Sequence, residues 1–184
     1  FGGATLDRIE QKKELVGVLM ESYPPFSFLN DQNQLDGFDV DVAKAVAEKL
    51  GVKLRLETPS WDVIAAGRWS GRYDICICSM TPSKARAEVF DFPVEYYASP
   101  AVIVVNAKDE RIHNAKDLSG KKVGLTSASS YESYLNKNLV IEGAEDTQLQ
   151  YPFEDVQIAP YDTDNVAFQD LGLTYLHLMP LFAS

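Results

Sequence analysis

Residues 73–92 read YDICICSMTPSKARAEVFDF, and the fold of the chain can be worked out from this stretch. The apolar run at residues 75–78 predicts a buried strand with apolar side chains on both faces, which is typical of parallel sheets. Thr81 followed by Pro82 predicts a helix start, because threonine caps helices well and proline suits the first helical position. A strand that leads into a helix start presents free backbone N–H groups, so we expect an anion-binding site there.

The side chains of this turn strengthen the prediction of an anion site. Ser79 and Thr81 add hydroxyl groups, and Arg86 follows early in the predicted helix. The planar guanidinium of an arginine holds a carboxylate through two parallel charge-assisted hydrogen bonds. The alternative is an ordinary capped helix with a solvated arginine, and these residues alone leave both interpretations open.

Strands and helices alternate before this stretch. Residues 14–20 (ELVGVLM) and 53–57 (KLRLE) predict strands, and residues 61–68 predict a short helix. A longer helix is predicted between the two strands, because apolar residues recur there every four positions, at Phe38, Val42, Val46 and Leu50. This order of elements is that of an α/β layer with a parallel sheet.

The second half of the chain repeats this layout. Strands are predicted over residues 101–105, 122–125 and 156–159, with a helix over residues 163–171. Ser129 and Glu132 fit a capping box, so a second hydroxyl-rich turn leads into a helix start. The predicted fold class is therefore α/β, with a first lobe over residues 1–99, a second lobe over residues 100–184 and a hinge near residues 96–100.

The composition indicates a globular protein and argues against several kinds of partner. The chain has 184 residues, of which 46% are hydrophobic, and a net charge of −10. Binding to the phosphate backbone of nucleic acids needs a basic face, which this sequence lacks. No apolar run is long enough for a membrane span, and no signal peptide is visible, although the start Phe-Gly-Gly-Ala suits a trimmed chain.

The cysteine and aromatic residues are the remaining candidates for a disulfide, a metal site or ligand contact. Cys76 and Cys78 are predicted to be small buried hydrophobic residues, because side chains so close on a strand do not easily form a relaxed disulfide. With two histidines in the chain, they make a poor metal site.

Tyr23 and Trp61 follow predicted strands at the crevice side of the sheet, so we expect ligand contact, whereas Phe26 is expected to pack in the core.

Five short segments of the sequence, taken together and in their order, form a specific pattern. They are YPPFSF (23–28), GFDVDVAKAVAEKLGV (37–52), WDVIAAGRWSGRYDI (61–75), SMTPSKARAEVFDFP (79–93) and DLSGKKVGL (117–125). On these segments the chain resembles the family 3 extracellular solute-binding proteins, the polar amino-acid receptors of ABC importers. The resemblance implies a type II periplasmic-binding-protein fold, in which two lobes joined by a hinge close on one amino acid.

The resemblance also implies which residues contact the ligand. In that family an aromatic pair encloses the side chain of the amino acid, and this pair falls on Tyr23 and Trp61. The carboxylate clamp falls on Ser79, Thr81 and Arg86. The full set of predicted ligand-binding residues is Glu21, Tyr23, Trp61, Ser79, Met80, Thr81, Arg86, Ser129 and Ser130, of which the last two form the helix start of the second lobe.

The end of the sequence departs from the family. The family continues with a glycine-rich turn, a strand that ends in an aspartate for the ligand's ammonium group, and a crossing back to the first lobe. Residues 173–184 read LTYLHLMPLFAS and match none of this, so we expect a truncated second lobe. We expect this apolar tail to pack onto a second copy of the chain, with folding back onto its own lobe as the alternative.

Three functions are compatible with the sequence. The prediction is a periplasmic binding protein, without catalysis, cofactor or metal, that delivers a polar amino acid to the membrane permease of an ABC transporter. The alternative of a different class is an enzyme that resembles the cyclohexadienyl dehydratases on the same fold, which would need a positioned acid such as Glu21. A sensor domain would need a membrane segment or signalling module, and the sequence given has neither.

Overall fold

The computed structural model describes residues 3–171 and the backbone of residues 176–180. The chain divides into two compact units, Phe1–Thr81 and Pro82–Ser184. The predicted lobe boundary between residues 99 and 100 stays a prediction. Among residues 3–171, no helix combines the length and the apolar character that a membrane span requires.

The first unit alternates strands and helices. Its elements are α1 (Ala4–Lys12), β1 (Glu14–Val18), β2 (Ser22–Tyr23), β3 (Ser27–Leu29), β4 (Leu35–Asp36), α2 (Phe38–Leu50), β5 (Lys53–Glu57), α3 (Trp61–Ala66) and β6 (Ile75–Cys76). Strand β1 lies in the centre of a parallel sheet, between β5 and β6. The short strands β2, β3 and β4 form a separate antiparallel sheet. The predicted α/β layer with a parallel sheet is therefore confirmed.

Helix α2 has the predicted bounds and buries a face other than the predicted one. Its fully buried apolar residues are Val40, Ala43 and Ala47, whereas Phe38 and Leu50 are exposed. Gly51 ends the helix in the left-handed conformation, with a φ of 66°, and its N–H group donates to carbonyl groups of the last turn. Glycine is the residue that adopts this conformation at the least cost.

The second unit contains the remaining elements. They are α4 (Lys84–Ala87), β7 (Val102–Asn106), a 3₁₀ helix (Ala115–Leu118), β8 (Lys122–Thr126), α5 (Ser130–Leu135), β9 (Gln157–Tyr161), α6 (Asp164–Leu171) and β10 (Leu176–Pro180). Strands β8 and β9 pair in parallel. The core of this unit is centred on Tyr134 and Phe153, whose rings pack at a centroid distance of 5.6 Å.

Part of the atypical tail belongs to the second unit. The backbone of β10 pairs with β7 in antiparallel register, with Leu176 opposite Asn106 and Pro180 opposite Val102. This pairing within one chain corresponds to the alternative in which the tail folds back onto its own lobe. The rest of the tail, residues 173–175 and 181–184, lies outside the described residues, and association with a second copy stays a prediction.

The prediction that the two cysteines form no disulfide is wrong, whereas the predicted burial is confirmed for Cys78. Cys76 and Cys78 form a disulfide, with their Cα atoms 5.5 Å apart, a separation that is usual for disulfides. The prediction assumed a strand that continues through residue 78, but β6 ends at Cys76. Because the chain leaves its extended course there, the two side chains come within bonding reach.

Candidate functional site

The turn at residue 79 is anchored to helix α2. The hydroxyl group of Ser79 donates a hydrogen bond of 2.8 Å to Oδ1 of Asp39. Asp39 lies in the first turn of α2 and is fully buried. Ser79 has a φ of 49°, in the left-handed region that residues other than glycine rarely adopt. The predicted site residue Ser79 therefore points to a buried carboxylate of its own unit.

The proline loop of residues 23–28 is bound to the same helix start. The N–H groups of Phe38 and Asp39 donate to the carbonyl groups of Pro25 and Phe26, at 3.1 and 2.8 Å. Gly37 makes this approach feasible, since a Cβ atom there would lie 2.5 Å from the carbonyl oxygen of Phe26. The loop therefore has a fixed place beside the N-terminus of α2.

The two aromatic residues of the predicted sandwich have different surroundings. Tyr23 is half-buried, and its ring lies 5.1 Å from that of Phe26. Trp61 is only 9% exposed and packs in a core cluster that includes Val18 and Ile64. This environment favours core packing for Trp61, and its contact with a ligand stays a prediction.

The predicted helix start at Thr81 and Pro82 is wrong by two residues. Helix α4 begins at Lys84, and the hydroxyl of Ser83 caps it by accepting a hydrogen bond from the N–H group of Arg86. The chain is held extended before the helix, because Lys84 N donates to the carbonyl of Val140, and Glu142 N donates to that of Pro82. A helix of four residues offers little dipole, so the predicted anion site at this helix start has no support.

Arg86 and the loop before α5 meet within the second unit. Nη2 of Arg86 donates to the carbonyl oxygen of Ala128 at 3.0 Å. Burial lowers the pKa of the Arg86 guanidinium to about 10, so the group keeps its positive charge at neutral pH. Ser129 follows directly and caps α5, and Ser130 is the first residue of that helix. Arg86 thus contacts the residue that directly precedes the predicted site residues Ser129 and Ser130.

The capping box at α5 is present in a modified form. The hydroxyl of Ser129 accepts a hydrogen bond from Glu132 N at 3.4 Å, as predicted. The carboxylate of Glu132 accepts from Ala128 N at 2.7 Å, one residue before the position that a capping box uses. Ala128 has a φ of 58°, in the left-handed region. Its carbonyl group accepts from Arg86 and its N–H group donates to Glu132, so both of its backbone polar groups are bound by side chains.

The other predicted residues are distributed within the first unit. Glu21 is exposed, and its carboxylate accepts a long hydrogen bond of 3.4 Å from the hydroxyl of Thr58. Met80 packs against the core cluster of that unit, and Thr81 is half-buried. The first unit therefore holds Glu21, Tyr23, Trp61, Ser79, Met80 and Thr81, and the second holds Arg86, Ser129 and Ser130.

Sequence reasoning missed the two residues that organise these turns. The four-residue repeat of apolar residues in α2 assigns no role to Asp39, and Ser83 falls inside the helix that Thr81 and Pro82 predict. A signal for Asp39 exists in the sequence, because an aspartate in the first turn of a helix complements the helix dipole. Within the described part of the chain, no cluster of three or more histidine, cysteine or acidic residues is arranged to hold a metal ion.

Known proteins resemble this chain over most of its length. The model of the bacterial extracellular solute-binding proteins, family 3, matches residues 15–172. The L-cystine-binding protein TcyJ of Escherichia coli (strain K12) is 34% identical over 167 residues, which cover 90% of this chain and 58% of that protein. The chain thus spans less than two thirds of the length of this relative.

Solved structures confirm the predicted fold class. An ancestral arginine-binding protein bound to arginine has a TM-score of 0.74 and 32% identity, and the match covers 91% of this chain and 70% of that one. The ancestral amino acid-binding protein AncCDT-1, a precursor of cyclohexadienyl dehydratase, has a TM-score of 0.78 and 27% identity, with coverage of 96% and 74%. The family match and these structures agree, and the chain belongs to the bacterial extracellular solute-binding proteins of family 3.

Proposed function

We propose that this chain binds a polar amino acid for import by an ABC transporter, and that it does so without catalysis. Its family and its similarity to a cystine-binding protein and to an arginine-binding protein support this proposal. We take these two amino acids as the first candidates for the ligand. The family is described as extracellular, which supports the proposed location in the periplasm.

The contact between Arg86 and the loop before α5 is the observation that carries the proposal. It holds a charged guanidinium against the carbonyl oxygen of Ala128, and Ser129 and Ser130 follow directly in the sequence. A guanidinium and nearby hydroxyl donors suit the carboxylate that all amino acids share. For the side chain of the amino acid, Tyr23 and Trp61 remain the proposed contacts, and Glu21, Met80 and Thr81 are the further proposed ligand-binding residues.

Calorimetric titration of the protein with each of the twenty common amino acids and with L-cystine tests the proposal. We expect one amino acid, or one chemical group of them, to bind with a dissociation constant in the micromolar range or below. The corresponding compound without the carboxylate, such as agmatine in place of L-arginine, should bind much more weakly. Absence of heat for all amino acids, in a protein with a cooperative unfolding transition, would refute the proposal.

The competing function is a dehydratase on the same fold. Its acid would be Glu21, whose exposed carboxylate has a long contact to Thr58 and lacks the burial that tunes catalytic acids. We therefore expect no turnover of prephenate or arogenate, followed by product absorbance. Turnover that is lost in Glu21→Gln would favour the enzyme.

Two partners complete the proposal. The permease of the transporter would receive the ligand, and a pull-down with its purified complex tests this directly. Association with a second copy of the chain is the other proposal, since apolar side chains such as Val94 and Tyr97 are exposed on residues 88–101. Sedimentation velocity at micromolar concentration should show a dimer, and a monomer over the whole concentration range would contradict it.

A further inference from the structure

The hydrogen bond between Ser79 and Asp39 restricts what Ser79 can offer to a ligand. A serine hydroxyl has one proton to donate and two lone pairs with which to accept. The proton of Ser79 is directed at Oδ1 of Asp39, 2.8 Å away. While that bond exists, the oxygen of Ser79 accepts hydrogen bonds from any further partner and donates none.

Because Ser79 only accepts further hydrogen bonds, it distinguishes between the carboxylate and the ammonium group of an amino-acid ligand. The carboxylate of a ligand only accepts hydrogen bonds, whereas its ammonium group only donates them. Ser79 is therefore matched to the ammonium group and mismatched to the carboxylate. The family resemblance implies a place for Ser79 in the carboxylate clamp, and its bond to Asp39 argues for the other role.

The position of Asp39 favours this orientation of the Ser79 hydroxyl group. It is fully buried, so water does not compete for its carboxylate. Its own N–H group donates to the carbonyl of Phe26, which connects the proline loop to the same residue. The bond to Ser79 also helps to hold the left-handed backbone of that residue, a conformation that residues other than glycine rarely adopt.

We propose that Asp39 is a positioning residue that takes the hydroxyl proton of Ser79 and thereby makes Ser79 an acceptor for the ammonium group of the ligand. The proposal rests on the proposed amino-acid binding and specifies which polar group of the ligand Ser79 contacts. It assigns the carboxylate to donors other than Ser79.

Three ligands that differ by one group each test the assignment. They are L-arginine, 5-guanidinopentanoate, which lacks the ammonium group, and agmatine, which lacks the carboxylate. If titration shows a different amino acid to be the ligand, its deaminated and decarboxylated forms replace these two. Ser79→Ala should weaken the amino acid and the decarboxylated amine about tenfold, as for the loss of one hydrogen bond to a charged group, and leave the deaminated acid within about twofold. Equal weakening of the amino acid and the deaminated acid, with no change for the amine, would overturn the proposal.

The role of Asp39 is tested by combining variants. In the Asp39→Ala background, which removes the acceptor of the Ser79 proton, the effect of Ser79→Ala on the affinity for the amino acid should fall to about twofold or less, because the orientation of the hydroxyl is already lost. Rescue by Asp39→Glu, with the longer side chain, is expected to be partial. Full tenfold effects in both backgrounds would show that Asp39 does not position Ser79.

A measurement without ligand separates this inference from the proposed function. In urea unfolding of the free protein, the effects of Asp39→Ala and Ser79→Ala should be non-additive, since each variant removes the one hydrogen bond that the two residues share. If no amino acid binds and the effects are non-additive, amino-acid binding fails and the positioning by Asp39 stands. Additive effects would refute the positioning whatever the ligand. If Asp39→Ala does not fold, the three-ligand comparison in Ser79→Ala decides alone.

Discussion

Thr126 donates a hydrogen bond of 2.5 Å from its hydroxyl group to Oδ1 of Asp164, and this bond fastens the end of β8 to the first turn of α6. The first unit makes the same type of connection between Ser79 and Asp39. In both units a hydroxyl group near the end of a strand, Thr126 at the end of β8 and Ser79 after β6, donates to a carboxylate in the first turn of a helix. The helix dipole favours negative charge at that position. The turns that precede α4 and α5 are thus each stabilised by a hydrogen bond from a hydroxyl group to a carboxylate.

Removal of the Thr126 hydroxyl should destabilise the protein. Thr126→Val keeps the size of the side chain and leaves the Asp164 carboxylate without this donor, which typically costs about 1–3 kcal/mol. Urea unfolding followed by circular dichroism measures the change. The exposed Thr147 serves as the matched control, and Thr147→Val should change the free energy of unfolding by less than about 0.5 kcal/mol. Equal effects of the two variants would contradict the role of the bond.

Two glycines at the ends of α2 should respond very differently to substitution. Both have a positive φ, of 118° at Gly37 and 66° at Gly51. A Cβ atom at Gly37 would lie 2.5 Å from the carbonyl oxygen of Phe26, whereas nothing lies within 4 Å of one at Gly51. Gly51→Ala should therefore cost about 1 kcal/mol from backbone strain, and Gly37→Ala about 3 kcal/mol or more. Thermal unfolding of both variants measures the difference, and similar midpoints would show that the proline loop gives way.

The fold class and the order of elements were predictable because they depend on local pattern. The bounds of α2 and the parallel sheet around β1 follow from hydrophobic periodicity and a C-terminal glycine. The buried face of α2 was not predictable from a repeat of four. A helix has 3.6 residues per turn, so residues that recur every four positions drift around it, and Phe38 and Leu50 end up exposed.

The parts of the site that were missed depend on contacts between distant segments. Thr81 has the better local cap sequence, but residues 82–84 are held extended by residues 140–142, so the helix begins after Ser83. The contact of Arg86 with Ala128 joins residues 42 positions apart and leaves no local trace. The same holds for the disulfide of Cys76 and Cys78, which depends on where β6 ends.

Arg86 should dominate the affinity for the ligand. Arg86→Ala is expected to cost about 2–5 kcal/mol of binding free energy, as is typical when one partner of a buried charge-assisted pair is truncated. Arg86→Lys should recover only part of this, because an ammonium group lacks the planar fork. Lys84 lies on the same helix and is exposed, so Lys84→Ala is the matched control in calorimetric titration. An affinity of Arg86→Ala equal to that of the control would remove Arg86 from the site.

Tryptophan fluorescence can distinguish ligand contact from core packing at Trp61. Trp69 interferes with this measurement and should be replaced in a Trp69→Phe variant, which retains a ring against Tyr73. If Trp61 contacts the ligand, saturation with the amino acid should shift or quench the remaining emission. An unchanged spectrum under conditions in which calorimetry shows binding would assign Trp61 to the core cluster alone.

Asp117 should contribute to stability in a manner that depends on pH. Its carboxylate accepts hydrogen bonds from His113 N at 2.9 Å and Asn114 N at 3.2 Å, and these bonds, led by that of His113, lower its pKa below the usual 3.8. A carboxyl group whose pKa is lower in the folded state stabilises the protein above its unfolded pKa, and this contribution disappears as the pH falls through the folded pKa. Asp117→Asn should therefore destabilise the protein at pH 6–7 and have progressively less effect below about pH 4. Urea unfolding of both proteins across this range provides the test, and a difference in stability that stays constant with pH would show that the charge of Asp117 is not responsible.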